Sequence, residues 1–147
     1  MKGSVLMMIK STRVALEIAE KYYDEKTLRH VIRVATRAAE SVTQDGTVTN
    51  VADWVVQVAL LHDILEDTDY TLDDLKKYFP STIVDAVVIL TKPKDMSYDD
   101  YIDRILQSGS NLAFVVKKAD MRDHMMQVDT LTEKLKEKYL PHLWKFL

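Results

Sequence analysis

The sequence predicts an all-α fold, a helical bundle packed around one buried central helix. Apolar residues recur every three or four positions through most of the chain, which is the spacing of one face of a helix. The chain has only 3 glycines and 3 prolines among 147 residues, so few positions favour a break between helices. A chain of this length can bury one hydrophobic core, and we expect residues 1–147 to form a single domain.

Composition and charge exclude several classes of site and partner. The absence of cysteine excludes disulfides, thiolate metal sites and cysteine nucleophiles, and it agrees with a cytoplasmic location. No apolar run reaches the length that crosses a bilayer, so we expect no membrane insertion. A net charge of -3 provides no basic surface for nucleic acid, which we therefore do not expect as a partner.

Two amphipathic helices are predicted before the central one. The first runs from Thr12 to about Tyr23, with Ser11 or Thr12 as its N-cap. The second begins at Thr27 as its N-cap and runs to about Ser41. At 100° per residue its side chains divide into an inward stripe (Val31, Val34, Ala35 and Ala38) and a polar edge (His30, Arg33 and Arg37). Residue types at 44–46 predict a turn.

The central helix is expected to start at Asn50 and to run from Val51 to about Glu66. It is apolar nearly all round, which predicts burial in the middle of the fold. Thr71 and Asp74 then resemble a capping box for a short helix that Pro80 ends.

Four further segments follow. Ser81 opens a helix whose residues 86–90 would also suit a strand, but no partner strand is evident. Ser97 starts a helix that stops at Gly109. Asn111 is expected to cap a helix that reaches about Met126. A last helix runs from about residue 130 to the C-terminus, with a kink near residue 141.

The stretch from Leu60 to Thr68 is the candidate site. His62, Asp63, Glu66 and Asp67 would share one broad face of a continuous helix, inside one of the most apolar runs of the chain. Buried charge is costly unless it is paired or binds a metal.

Other ligands would have to come from neighbouring helices. His30 and Asp120 are the best donors for that role. Two imidazoles and two carboxylates suit Mn²⁺, Fe²⁺, Co²⁺ or Zn²⁺ better than Mg²⁺. The sequence therefore predicts one divalent transition metal.

Each residue also has a plainer interpretation. Asp63 could pair with an arginine, and His30 could be a half-buried structural histidine. Glu66 and Asp67 could form an acidic helix end, although acids there oppose the helix dipole. The two arginines of the polar edge could face phosphate or, as we expect, solvent. The methionines near residues 121–126 are expected to fill the core.

The motifs in combination resemble the HD-domain metal-dependent phosphohydrolases, in the branch of RelA/SpoT-type alarmone hydrolases and their small stand-alone relatives. The residues that carry the resemblance are a first histidine at His30, the run His62-Asp63-Ile64-Leu65-Glu66-Asp67-Thr68, Leu90-Thr91-Lys92, the helix from Ser97 to Ile105, and Val116-Lys117-Lys118-Ala119-Asp120.

The resemblance implies a fold, a metal and a reaction. The fold is an all-α HD-type bundle. The metal, usually Mn²⁺ in this branch, is held by His30, His62, Asp63 and Asp120. Glu66 and Asp67 are the catalytic acids that manage the attacking water, and the reaction removes the 3′-pyrophosphate of guanosine tetra- or pentaphosphate.

Two departures from the family pattern concern the substrate. The segment from Lys21 to Val31 is shorter than the family's basic segment before the first histidine. Only Lys21 or Arg29 lies near the sequence position of the basic residue that the family has there. His124 stands where the family has an asparagine. It could replace the amide's hydrogen bonds, which we favour, or touch phosphate, or approach the metal. The expected substrate contacts are Lys21, Arg29, Lys92, Lys117 and His124.

The leading prediction is a small alarmone pyrophosphohydrolase acting on a small-molecule nucleotide. One alternative is a nucleoside mono- or triphosphate phosphohydrolase with the same metal centre. A second alternative is a non-catalytic binding or antitoxin-like protein that keeps a vestigial site. The sequence does not predict the oligomeric state.

Overall fold

A computed structural model describes the backbone of residues 2–43, 50–127 and 132–146, and the side chains from residue 11 onward within those ranges. Every regular element in these ranges is helical, and none of them is a strand. The predicted all-α fold is confirmed, and residues 86–90 are helical. The predicted turn at 44–46 and the predicted start of the last helix at residue 130 lie outside the described residues.

The first helix, α1, spans Lys2–Tyr22 and so begins ten positions before the predicted start. Neither of the predicted N-caps, Ser11 and Thr12, caps it, because the helix continues through both positions. The Thr12 hydroxyl instead donates a hydrogen bond to the Asp53 carboxylate on the central helix.

Helix α2 spans Glu25–Val42, and Asp24 is its N-cap. The Asp24 carboxylate accepts a hydrogen bond from the Thr27 backbone N–H at 2.7 Å. The predicted cap, Thr27, therefore lies inside the first turn. The predicted inward stripe of α2 is buried.

The predicted central helix is two helices, α3 at Asn50–Leu61 and α4 at Ile64–Asp67. The break falls on His62 and Asp63, and Asp63 has φ -103° and ψ 1°. These angles lie in the sparsely populated bridge region of the backbone map, where many active-site residues are found. Leu61 and Ile64, on either side of the break, are fully buried and fix its position.

The remaining helices are α5 (Leu72–Tyr78), α6 (Ser81–Leu90), α7 (Tyr98–Gln107), α8 (Asn111–Met126) and α9 (Glu133–Leu143), with a 3-10 turn at Trp144–Phe146. The capping box of Thr71 and Asp74 is present, and Ser97 caps α7. Ser110, rather than Asn111, caps α8. Pro141 lies within α9, which continues to Leu143.

Helix α3 occupies the centre of the bundle. It packs against α1, α2, α6 and α8, and Val55, Val58 and Ala59 on it are fully buried. The carboxyl end of α3 therefore lies next to α2 and α8, which also contact each other. Among the described residues, no helix combines the length and apolarity needed to cross a bilayer.

Candidate metal centre

Four side chains from three parts of the fold meet beyond the end of α3. His30 comes from α2, His62 and Asp63 from the break, and Asp120 from α8. His30 Nε2 lies 2.9 Å from Asp120 Oδ1 and 4.0 Å from Asp63 Oδ2. His62 Nε2 lies 3.2 Å from Asp63 Oδ2 and 3.5 Å from Asp120 Oδ1. The structure thus brings the four predicted ligands together.

The break between α3 and α4 makes this convergence possible. Successive residues on a regular helix point about 100° apart and do not face each other. His62 and Asp63 nevertheless present a nitrogen and an oxygen to the same small volume. The bridge-region backbone of Asp63 is the local feature that departs from the predicted continuous helix.

The imidazole tautomers direct lone pairs into this volume. His62 Nδ1 donates a hydrogen bond to the Ala59 carbonyl at 2.6 Å, which leaves Nε2 as the acceptor nitrogen. His62 Nε2 is fully buried, and no group among the described residues forms a hydrogen bond of acceptable geometry with it. A buried lone pair close to two carboxylates requires a cation, either a proton or a metal ion. The donor set therefore fits a divalent metal.

The charges of the metal-free cluster support this interpretation. Burial alone would lower the pKa of His62, but the carboxylates of Asp63 and Asp120 outweigh burial and raise it to about 9. The cluster attracts positive charge strongly enough to hold a proton on a fully buried imidazole.

Metal affinity is expected to increase with pH up to about 9, because this proton must leave before His62 Nε2 can bind a metal. The folded pKa lies above the ordinary 6.5, so the bound proton stabilises the metal-free fold below pH 6.5 and that stabilisation is lost as the pH rises through about 9. The Kd for Mn²⁺ should fall by up to about tenfold per pH unit between roughly pH 7 and 9. Calorimetric titrations across this pH range measure the Kd for Mn²⁺. A Kd independent of pH would contradict the prediction that His62 is a metal ligand.

Lys117 contacts the cluster through Asp120. It is buried, and its Nζ donates to Asp120 Oδ2 at 2.9 Å. Burial alone would raise the pKa of Asp120, but the Lys117 ammonium and the imidazole hydrogen bonds hold it well below its usual range. Lys117 therefore orients Asp120, and its contact with substrate stays a prediction.

Asp123 contacts the predicted ligand His30, and the sequence pattern did not single it out. It is fully buried on α8, and its Oδ2 accepts a hydrogen bond from His30 Nδ1 at 2.8 Å. Arg33 Nε donates to Asp123 Oδ1 at 2.9 Å, and Arg37 Nε donates to the same oxygen at 3.3 Å. Both arginines thus pair with Asp123, and the expectation of a solvated edge is wrong. The sequence contained one indication of Asp123. His30, Arg33 and Arg37 form a row on α2, and such a row, if buried, requires an acidic residue on the facing helix.

Replacing Asp123 with asparagine is expected to weaken metal binding by about 10- to 100-fold, the range for outer partners of metal ligands. The variant keeps the shape of the side chain but loses the charge that orients His30 Nδ1 and neutralises the arginines. Competition against a metal indicator measures the effect. Asp85→Asn, an exposed position on α6, is the matched control. An unchanged Kd in Asp123→Asn would show that this carboxylate does not support the ligand.

The two predicted acids lie beside the cluster. Glu66 accepts a hydrogen bond from the Lys92 backbone N–H, and burial raises its pKa. Burial, with the nearby Asp63 carboxylate, also raises the pKa of Asp67. Carboxyl groups with raised pKa values are suited to accept and return protons near neutral pH.

A cleft of about 520 Å³ opens onto the cluster of His30, His62, Asp63 and Asp120. This volume is within the range of small-molecule sites. Its wall consists of ligand residues together with residues at the start of α2: Tyr23, Asp24, Lys26, Thr27, His30, Asp63, Asp67 and His124. Of these, Lys26 supplies a cation that the sequence pattern did not single out.

Three of the predicted substrate contacts have side chains outside the lining of this cleft. Lys21 lines a separate depression with Tyr22 and Tyr70. Arg29 forms an exposed ion pair with Glu25 on α2. Lys92 Nζ donates to two backbone carbonyls of its own loop, at 2.9 and 2.6 Å. The side chains of these three residues do not line this cleft, whereas His124 does.

Two curated relatives resemble the chain in sequence. Guanosine-3′,5′-bis(diphosphate) 3′-pyrophosphohydrolase MESH1 of Danio rerio is 33% identical over 102 residues, which are 61% of this chain and 53% of the relative. The protein of the same name from Drosophila melanogaster is 30% identical over 113 residues, 71% of this chain and 58% of the relative. The predicted resemblance is confirmed. The chain spans little more than half the length of these relatives, and no family model matches it.

A solved structure shares the fold. It is described as "A metazoan ortholog of SpoT hydrolyzes ppGpp and plays a role in starvation responses". The superposition covers 95% of this chain and 83% of the solved chain, with a TM-score of 0.63. The sequence identity is 21%, so this match establishes the helical fold alone.

Proposed function

We propose that the chain is a metal-dependent phosphohydrolase that removes the 3′-pyrophosphate from guanosine tetra- or pentaphosphate. The observation that carries the proposal is the convergence of His30, His62, Asp63 and Asp120, in which His62 Nε2 is buried and unsatisfied among the described residues. Two carboxyl groups with raised pKa values lie beside them. The names of the two curated relatives support the choice of substrate.

His30, His62, Asp63 and Asp120 would hold one divalent ion, Mn²⁺ by the family resemblance, with Fe²⁺, Co²⁺ and Zn²⁺ as the other candidates. Such an ion supplies positive charge at a phosphoryl oxygen and makes water more acidic. The protein contributes the orientation of each ligand. Asp123 fixes His30 through Nδ1, the Ala59 carbonyl fixes His62, and Lys117 fixes Asp120.

Glu66 and Asp67 would manage the attacking water. The Lys92 backbone N–H orients one oxygen of Glu66, which leaves the other oxygen for a hydrogen bond to water. Asp67 lines the cleft directly. Their raised pKa values suit one of them to accept the proton of the water and one to return a proton to the leaving group.

A second substrate class is favoured by one specific observation. Lys21, Arg29 and Lys92 lie away from the cleft or are tied to other groups. None of these three side chains lines the cleft to contact guanosine tetraphosphate, so a nucleoside mono- or triphosphate cleaved at the same metal centre is the alternative.

A substrate screen separates these candidates. The Mn²⁺-loaded protein is incubated with guanosine tetraphosphate and with common ribo- and deoxynucleotides, and pyrophosphate, phosphate and triphosphate are measured separately. We expect pyrophosphate from guanosine tetraphosphate. Turnover of a deoxynucleotide without pyrophosphate release from guanosine tetraphosphate would overturn the leading assignment and favour the alternative.

The proposal extends to the partner, the domain organisation and the location of the protein. We propose a small-molecule nucleotide as the partner, a single catalytic domain over residues 1–147, and a cytoplasmic location, which the absence of cysteine favours.

A further inference from the structure

We propose that His124 is a fifth metal ligand, so that the centre holds its ion with three imidazoles and two carboxylates. This inference rests on the metal centre of the proposed function and adds to it a residue on α8. Of the three roles considered for His124 from the sequence, the geometry points to the one in which it approaches the metal.

The position of His124 Nε2 is the first observation. It lies 3.3 Å from Asp120 Oδ1, the same oxygen that faces His30 Nε2 at 2.9 Å and His62 Nε2 at 3.5 Å. Three imidazole nitrogens thus surround one carboxylate oxygen. The donor atoms of His30, Asp120 and His124 all lie within 4.8 Å of one another, as do those of His30, His62 and Asp63. The two groups share His30.

The orientation of the ring is the second observation. His124 stacks on Tyr139 of α9, with ring centroids 5.1 Å apart and an interplanar angle of 10°. The His124 ring also contacts the His30 ring, with centroids 4.5 Å apart and an interplanar angle of 34°. Contacts with two rings therefore orient the His124 ring, and its Nε2 lies next to the cluster. The side chain is 34% exposed and lines the cleft, so it borders both the ligands and the open volume.

A third imidazole changes which metals the site prefers. Imidazole nitrogen suits Fe, Zn and other late first-row metals, whereas carboxylate oxygen suits Mn²⁺. His124 should therefore strengthen the binding of Co²⁺ and Zn²⁺ more than that of Mn²⁺. Removal of this imidazole should reduce the ratio of the two affinities and not only their absolute values.

Metal titration of the His124→Asn and His124→Gln variants provides the first test. We expect the Kd for Co²⁺ to rise by at least about tenfold, the lower limit for loss of even an outer partner, and the Kd for Mn²⁺ to rise less. His142→Asn is the matched control, because His142 pairs with Asp99 and not with the cluster. Circular dichroism establishes that each variant is folded. Equal Kd values for wild type and both variants would overturn the proposal.

A direct count of ligands provides the second test. The chain has 4 histidines, and paramagnetic shifts in the Co²⁺-loaded, ¹⁵N-histidine-labelled protein identify those bound to the ion. We expect three strongly shifted imidazoles in the wild type and two in His124→Asn, with His142 unshifted in both. Shifts at His30 and His62 but not at His124 would overturn this inference and leave the proposed function intact. No shifted histidine in protein saturated with Co²⁺ would overturn both.

Discussion

Asp63→Ala is expected to reduce pyrophosphate release from guanosine tetraphosphate by at least about 1000-fold. Asp63 supplies one carboxylate of the cluster, and its Oδ2 lies 3.2 Å from His62 Nε2. Without it the ion would lose a charged ligand, and metal assistance contributes several kcal/mol of transition-state stabilisation. About 4 kcal/mol corresponds to a factor of roughly 1000. Initial rates at saturating substrate, with metal content measured in the same sample, test this expectation.

The matched control is Asp85→Ala on α6, an exposed aspartate outside the cleft. It should retain the wild-type rate and metal content. If Asp63→Ala instead kept its metal and lost less than about tenfold in rate, Asp63 would not be a ligand that the reaction needs.

Glu66→Gln is expected to lower kcat by about 100- to 10,000-fold while the metal stays bound, because general acid–base catalysis contributes on that scale. The amide keeps an oxygen that can accept the Lys92 backbone N–H, so the loop contact survives. It cannot accept the proton of the attacking water. A large loss in kcat with unchanged metal content separates this role from that of a ligand.

Glu20→Gln on α1 is the matched control for Glu66, since Glu20 is exposed and lies outside the cleft. The raised pKa of Glu66 adds a dependence on pH. Activity that needs the ionised carboxylate should fall, as the pH decreases, at a higher pH than an ordinary glutamate would give. A Glu66→Gln variant with wild-type kcat would assign the proton transfer to another group.

Local signals in the sequence predicted much of the fold. The capping box of Thr71 and Asp74 and the cap at Ser97 depend on residues three positions apart, and both are present. The α2 cap was misplaced from Asp24 to Thr27 because two polar residues close together both satisfy the sequence pattern of a cap.

The site was predicted as a set of residues but not as a geometry. His30, His62, Asp63 and Asp120 are polar residues on otherwise apolar faces, and such residues stand out in a sequence. The break at His62 does not, because the apolar pattern continues from α3 through Leu61 to Ile64. The break becomes evident only from the folded backbone.

The contacts missed from the sequence are those between distant segments. Asp123 meets His30 and Arg33 across 93 and 90 residues of chain, and Thr12 meets Asp53 across 41. Periodicity places each of these side chains on a face of its own helix, but it does not specify which helix lies opposite. Helix packing decides those pairs.

Metal removal and restoration is the measurement that tests the central claim most directly. Protein treated with a chelator and then dialysed is titrated with Mn²⁺ while pyrophosphate release from guanosine tetraphosphate is followed. We expect no release before addition and a rate that rises to a plateau at one ion per chain, with guanosine diphosphate as the other product. Undiminished release from metal-free protein, or no release at any Mn²⁺ concentration, would contradict a metal-dependent pyrophosphohydrolase centred on His30, His62, Asp63 and Asp120.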